Sequence, residues 1–198
     1  MNKTDKLARI ISTLFVPPSF TIIIFTIFSF TLETESTKRA ATLLVAFLFG
    51  FIAPIILFIL LRKRNKIVDL DASLKEERTI PFLISTVFYV AGLILLIYFK
   101  VNLISIAFWF CYISNTLFTV LINRYWKISA HAMGAAGPLA AITYTFGPIS
   151  LIFSLLIILV GWSRIKLRVH TFSQVLVGIL FAFFSTYLQM VLIVRLFE

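Results

Sequence analysis

Long apolar runs separated by short polar passages organise this chain, and their lengths predict helices that cross a membrane. A spanning helix needs roughly 20 apolar residues. Residues 10–31, 40–61, 80–99 and 103–122 each meet that length. Pro17-Pro18 inside the first run predicts a kink, or a true helix start after a short amphipathic segment. Pro54 predicts a kink in the second run. A fifth helix is expected from Ser129 to the turn signal Gly147-Pro148, a short sixth over about 149–161, and a seventh over about 170–196. The expected architecture is therefore all-α: a polytopic transmembrane helix bundle of about seven helices, or six given the short arms of the last hairpin. It forms a single domain spanning residues 1–198.

Composition sharpens this picture. Hydrophobic residues make up 61% of the chain and charged residues 13%, against about 45–50% and about 25% in soluble domains. The net charge of +10 is concentrated in the passages between the runs. That placement points to anionic headgroups and membrane orientation, and no basic–aromatic platform suggests nucleic acid. Lys38, Arg39, Lys100 and Arg195 fall on one face of the expected bundle, and the other 14 of the 18 Lys and Arg fall on the face of the N-terminus. The bias survives if Lys75, Arg78 and Arg164 are set aside as site residues. Positive-inside asymmetry then puts that face in the cytoplasm of a multi-pass inner-membrane protein. A removable signal peptide is not expected, because no small-residue cleavage pattern follows the first run. The single Cys111 lies in an apolar run, so no disulfide framework exists.

Three polar passages share the basic face. The first, residues 62–79, contains Lys75 and Arg78. The second holds Ser129 and His131, and the third holds Ser163, Arg164, His170 and Gln174. His131 and His170 are the only histidines. Imidazole can act as nucleophile or proton donor near neutral pH. Guanidinium, ammonium and helix N-termini can hold phosphoryl oxygens as their charge redistributes. Two Ser/basic/His clusters at the mouths of apolar segments predict one anion-handling site at a membrane surface.

These residues also resemble a known set. Ser163-Arg164, five residues, His170, three residues, Gln174 resembles the third motif of the type 2 phosphatidic acid phosphatase superfamily, which carries Asp at the last position. Ser129-Ala130-His131 is similar to the second motif, Pro-Ser-Gly-His, with Ile128 in place of Pro and Ala130 in place of Gly. The stretch from Lys75 to Pro81 has the residue types of the first motif, Lys, six residues, Arg-Pro, without its spacing. The resemblance covers a core of about residues 124–196. It implies an integral membrane enzyme that removes phosphate from a lipid phosphate monoester or diphosphate, such as phosphatidic acid, phosphatidylglycerophosphate or an isoprenyl diphosphate. His170 would be the nucleophile and become a phosphohistidine, and His131 would protonate the leaving group. Arg164, Ser129 and Ser163, with Lys75 and Arg78, would cradle the phosphate. No metal and no cofactor are implied, and the partners are the lipid substrate and the surrounding membrane lipids. Gln174 could fix the His170 tautomer but brings no charge.

Bland readings stand beside these. Lys166 and Arg168 read as topology-setting charges, the small residues 132–136 as close helix packing, and Asn115 as an interhelical bond. Two alternatives remain open: a non-catalytic protein that keeps the pocket, and a Mg²⁺-dependent prenyl or alcohol transferase built on Asp69, Asp71, Glu76 and Glu77.

Overall fold

The computed structural model describes residues 2–69, 71–72 and 74–198. These form eight α-helices and, among the described residues, no strand: α1 (Lys3–Leu14), α2 (Pro17–Leu32), α3 (Ser36–Lys63), α4 (Thr79–Tyr98), α5 (Leu103–Tyr125), α6 (Ala130–Phe146), α7 (Ser154–Lys166) and α8 (Phe172–Phe197). A 3₁₀ turn, Lys75–Arg78, leads into α4, and another, Pro148–Phe153, leads into α7. Among the described residues, five stretches are long and apolar enough to cross a membrane, and six if the bent pair α1–α2 counts as one. The chain is a polytopic helical membrane protein.

The first expected span is two helices, because Pro17 and Pro18 occupy the opening positions of α2, where a missing N–H costs nothing. α1 meets α2 at 53°. Asn2 caps α1 by accepting from the Asp5 N–H at 3.0 Å, while the Asp5 carboxylate accepts from the Asn2 N–H at 3.4 Å. Leu7, Ile10 and Leu14 are exposed on one side, and Ala8 and Ser12 are buried on the other. That pattern suits a helix lying along a membrane surface.

α7 runs past Gly161 to Lys166, so Ser163 and Arg164 sit in its last turn and not in a loop. α8 begins at Phe172, two residues after His170. α6, with 17 residues, is enclosed by its neighbours and packs most extensively against α8. Its small residues allow this. A Cβ on Gly134 would lie 2.7 Å from Pro17 Cβ, and one on Gly178 of α8 would lie 3.1 Å from the Ser129 carbonyl.

The half of the bundle away from the basic face is filled by aromatic rings. Phe25 stacks on Phe108 at 5.5 Å and meets Trp109 edge-on at 5.1 Å, while Phe28 packs edge-on against Phe108. Trp109 is fully buried and donates its indole N–H to the Tyr89 carbonyl at 2.7 Å. Gly92 makes room for it, since a Cβ there would lie 2.4 Å from the indole ring. α3 widens to a π-type turn over Ala46–Ile52, just before Pro54, whose ring cannot donate to the regular ladder. Beyond it, Ala53–Lys63 packs chiefly on α4.

Candidate active site

The turn that joins α7 to α8 builds the centre of the site. Arg168 adopts a φ of +57° and ends α7 in a left-handed turn. The Arg164 carbonyl then accepts from the Val169 N–H at 3.2 Å and the His170 N–H at 3.4 Å. The spacing of five residues between Arg164 and His170 is thus the length of one helix-ending turn. Thr171 next caps α8, accepting from the Gln174 N–H at 3.3 Å, and the Gln174 side chain reaches back to the Thr171 N–H at 3.2 Å. This Thr-x-x-Gln box fixes Gln174, and the same side-chain oxygen meets His170 Nδ1 at 3.0 Å.

That geometry sets the tautomer. A backbone N–H can only donate, so the atom facing Thr171 is the carbonyl oxygen of Gln174, and His170 Nδ1 must carry the proton. On the other side of the ring, Arg78 Nη2 lies 3.4 Å from Nε2, and a guanidinium can only donate. Nε2 therefore keeps its lone pair. His170 is 6% exposed. Burial first, then the charges of Arg78, Lys127 and Arg164, push its pKa down to about 3, with the Gln174 bond opposing. The ring is a neutral base at physiological pH.

Arg78, 4% exposed, is held by the Ala72 carbonyl at 2.8 Å and the Ile128 carbonyl at 2.9 Å. Ala72 takes φ +43° to turn that carbonyl inward, a conformation that costs a non-glycine residue about 1–2 kcal/mol. Arg164 is fully buried. Its Nη1 donates to Asp71 Oδ1 at 2.6 Å and to Ser12 Oγ, while Nε and Nη2 have no partner among the described residues. Asp71 Oδ2 pairs with Arg9 Nη1 at 2.7 Å. Burial alone would raise the Asp71 pKa. Arg164 and Arg9 outweigh it and hold the carboxyl below its ordinary value. Lys127 donates to the Val169 carbonyl at 2.6 Å and pins the α7–α8 turn. Burial lowers its pKa, helped by Arg78 and Arg164.

His131, in the first turn of α6, opens into the same cavity as His170 and Arg78. A backbone bond from the Ser129 N–H to the Gln174 carbonyl, 3.3 Å, ties the starts of α6 and α8 together. The cavity measures about 590 Å³ and continues from the histidines between α2, α3, α4, α5 and α6 to Phe108 and Tyr112.

Of the residues expected from sequence, His131, His170 and Arg78 line the cavity. Arg164 stands behind Ser12 and Asp71, both of which line it, and Gln174 supports His170 from outside. Ser129 serves as the α6 cap, accepting from the Ala132 N–H at 3.4 Å, and the Ser163 hydroxyl bonds the Val160 carbonyl at 2.7 Å. Neither hydroxyl faces the cavity. Lys75 points away from it, donating to the Arg124 carbonyl at 3.0 Å. Arg9, Ser12 and Lys127 join the site without having been expected there, and Asp71, expected only in a Mg²⁺-holding cluster, joins it as the partner of Arg164. The acidic residues of the first passage do not converge. Glu77 accepts from the Val68 N–H, Asp71 faces two arginines, and no group of three metal-ligating side chains forms among the described residues. Comparison of the chain with known protein families, curated proteins and solved structures found no match.

Proposed function

We propose that this chain is a metal-independent membrane phosphatase that hydrolyses a lipid phosphate monoester or diphosphate through a phosphohistidine. The carrying observation is the His170 ring. Its Nδ1 proton is locked by the twice-anchored Gln174 oxygen, so its Nε2 lone pair faces a cationic cavity shared with a second imidazole.

The reaction follows from those positions. Arg78, with Arg9 and the unpartnered N–H groups of Arg164 close behind, draws the phosphoryl group in by charge. The His170 Nε2 lone pair forms a bond to phosphorus as the bond from phosphorus to the lipid oxygen breaks. His131, which takes up a proton once the negatively charged phosphoryl group is bound beside it, gives that proton to the lipid oxygen and releases the lipid alcohol, or the lipid monophosphate from a diphosphate. Neutral His131 then takes a proton from water. The resulting hydroxide attacks phosphorus, the P–N bond breaks, and inorganic phosphate leaves with His170 neutral again. The Gln174 oxygen holds the ring through both steps but offers only a dipole to the transient imidazolium. The surplus of Lys and Arg on the site face supports a cytoplasmic orientation in an inner membrane.

One observation favours a second reading. Asp71 already pairs with Arg164, and Gln174 brings no charge to His170, as in a protein that keeps the pocket without turnover. Purified protein offered phosphatidic acid, phosphatidylglycerophosphate and undecaprenyl diphosphate separates the two. The enzyme reading expects phosphate release that persists in EDTA and falls roughly 10⁴-fold or more in His170→Ala and in His131→Ala. No release from any substrate favours the pocket-only reading. Strict dependence on Mg²⁺ overturns the metal-free mechanism.

A further inference from the structure

We propose that the cavity beneath the histidines measures a single apolar chain, with Phe108 and Tyr112 as its floor. The substrate is then a one-chain lipid phosphate of limited length. This rests on the phosphatase reading for its headgroup and on separate observations for its tail.

The cavity is polar at one end and apolar at the other. Arg9, Arg78, His131 and His170 line the mouth. Below them α4 contributes Pro81, Phe82, Ser85 and Tyr89, and α5 contributes Thr119, Thr116 and Asn115 before Tyr112 and Phe108. From Thr119 to Phe108 the descent is about 16 Å at 1.5 Å per residue. There the hollow stops. The Phe108 ring is locked between Phe25 and Phe28, and the Tyr112 hydroxyl bonds Thr21 at 3.2 Å. Behind these rings lies the filled aromatic half, which offers no continuation.

The size fixes how many chains fit. About 590 Å³ is in the range of one small ligand, roughly 300–1,000 Å³. Filled by one phosphate headgroup and one extended chain, it has no room for a second chain of similar length. The opening for that chain is set by α3. Its π-type turn and Pro54 carry Ala53–Lys63 onto α4, and Pro54, Ile55, Phe58 and Ile59 face Thr13, Val16 and Pro17 of the α1–α2 elbow across the cavity. A tail lying in the bilayer can slide between these walls while its headgroup meets Arg78.

Two series test this in the full chain reconstituted in nanodiscs. Non-hydrolysable n-alkyl phosphonates of increasing length report binding, and the matching alkyl phosphates report hydrolysis. With affinity referred to ligand already in the bilayer, the pocket predicts a rise with each added methylene well below the roughly fourfold that transfer from water would give, until the chain reaches the floor, and then no further rise. Phe108→Leu moves the limit to longer chains, and Thr116→Phe moves it to shorter ones. Should Phe108→Leu fail to fold, Thr116→Phe decides alone, because it adds bulk to the hollow and removes none from the core. Affinity that keeps climbing with length, two-chain phosphatidic acid binding as tightly as the best single chain, or a limit unmoved by Thr116→Phe overturns the proposal. Phosphonates that show the limit while no phosphate is hydrolysed uphold the pocket and overturn the phosphatase. Hydrolysis indifferent to chain length does the reverse.

Discussion

The two halves of this bundle are built on opposite rules. Away from the basic face, interlocked rings around a fully buried Trp109 leave no space, and Gly92 is needed to admit the indole. Toward the basic face the same helices carry Ser85, Thr116, Thr119, Gly134 and Gly137 and part around a hollow. Packing density supplies rigidity in one half, and the other half spends that rigidity on an open polar site. Lipid tails are as apolar as Leu, so contact and shape, more than expulsion of water, hold such helices together. Substitutions in the two halves should therefore lose stability by different routes, packing in one and charge pairing in the other.

The largest effect is expected in the filled half. Trp109→Ala leaves a ring-sized void and should cost about 3–5 kcal/mol, read as a lower melting temperature. Any molecules that remain folded should keep the pH profile of the parent. Asp71→Ala acts in the hollow half by a different route. It leaves the fully buried Arg164 without its carboxylate and should destabilise by about 3–5 kcal/mol. A melting temperature unchanged by that substitution would falsify the Arg164–Asp71–Arg9 pairing as a structural element. Gln174→Asp keeps the anchor to His170 and adds charge. Phosphate release should rise roughly 10–100-fold if the missing charge limits turnover.

The smallest effect, taken per pH unit, is a pH slope. His170 has a folded pKa of about 3 against 6.5 for the free side chain, so the unfolded chain binds a proton that the folded chain refuses. Stability is unaffected above about pH 6.5 and falls as pH drops toward 3, by at most about 1.4 kcal/mol per pH unit. Asp71, whose pKa is lowered, adds its own loss only where pH falls below its ordinary carboxylate value of 3.8. Between pH 6 and 4 the slope should shrink in His170→Gln, as followed by melting temperature.

The helices were legible because apolar run length is a direct record of membrane thickness. The break at Pro17-Pro18 was legible too, as an amphipathic segment followed by a proline-started helix. The extension of α7 beyond Gly161 was not, since Ser163, Arg164 and Lys166 look like loop residues until the turn at Arg168 shows where the ladder ends. Thr171-x-x-Gln174 is a capping-box pattern and could have marked the start of α8. Lys75 was matched by residue type, but the spacing of the resembled motif, seven positions before Arg78, falls on Asp71. Arg9 and Ser12 could not be found by motif at all. They reach the site only because α1 folds back along the basic face, a tertiary fact that no local pattern records.

The hydrogen bond from the Ser129 N–H to the Gln174 carbonyl has a further consequence. It couples two helix starts through main-chain atoms alone, so the distance between the imidazoles is inherited from the scaffold and not negotiated by side chains. Loops, tails and rim charges around such a joint are free to drift over evolutionary time while the reach between the two imidazole rings stays the same.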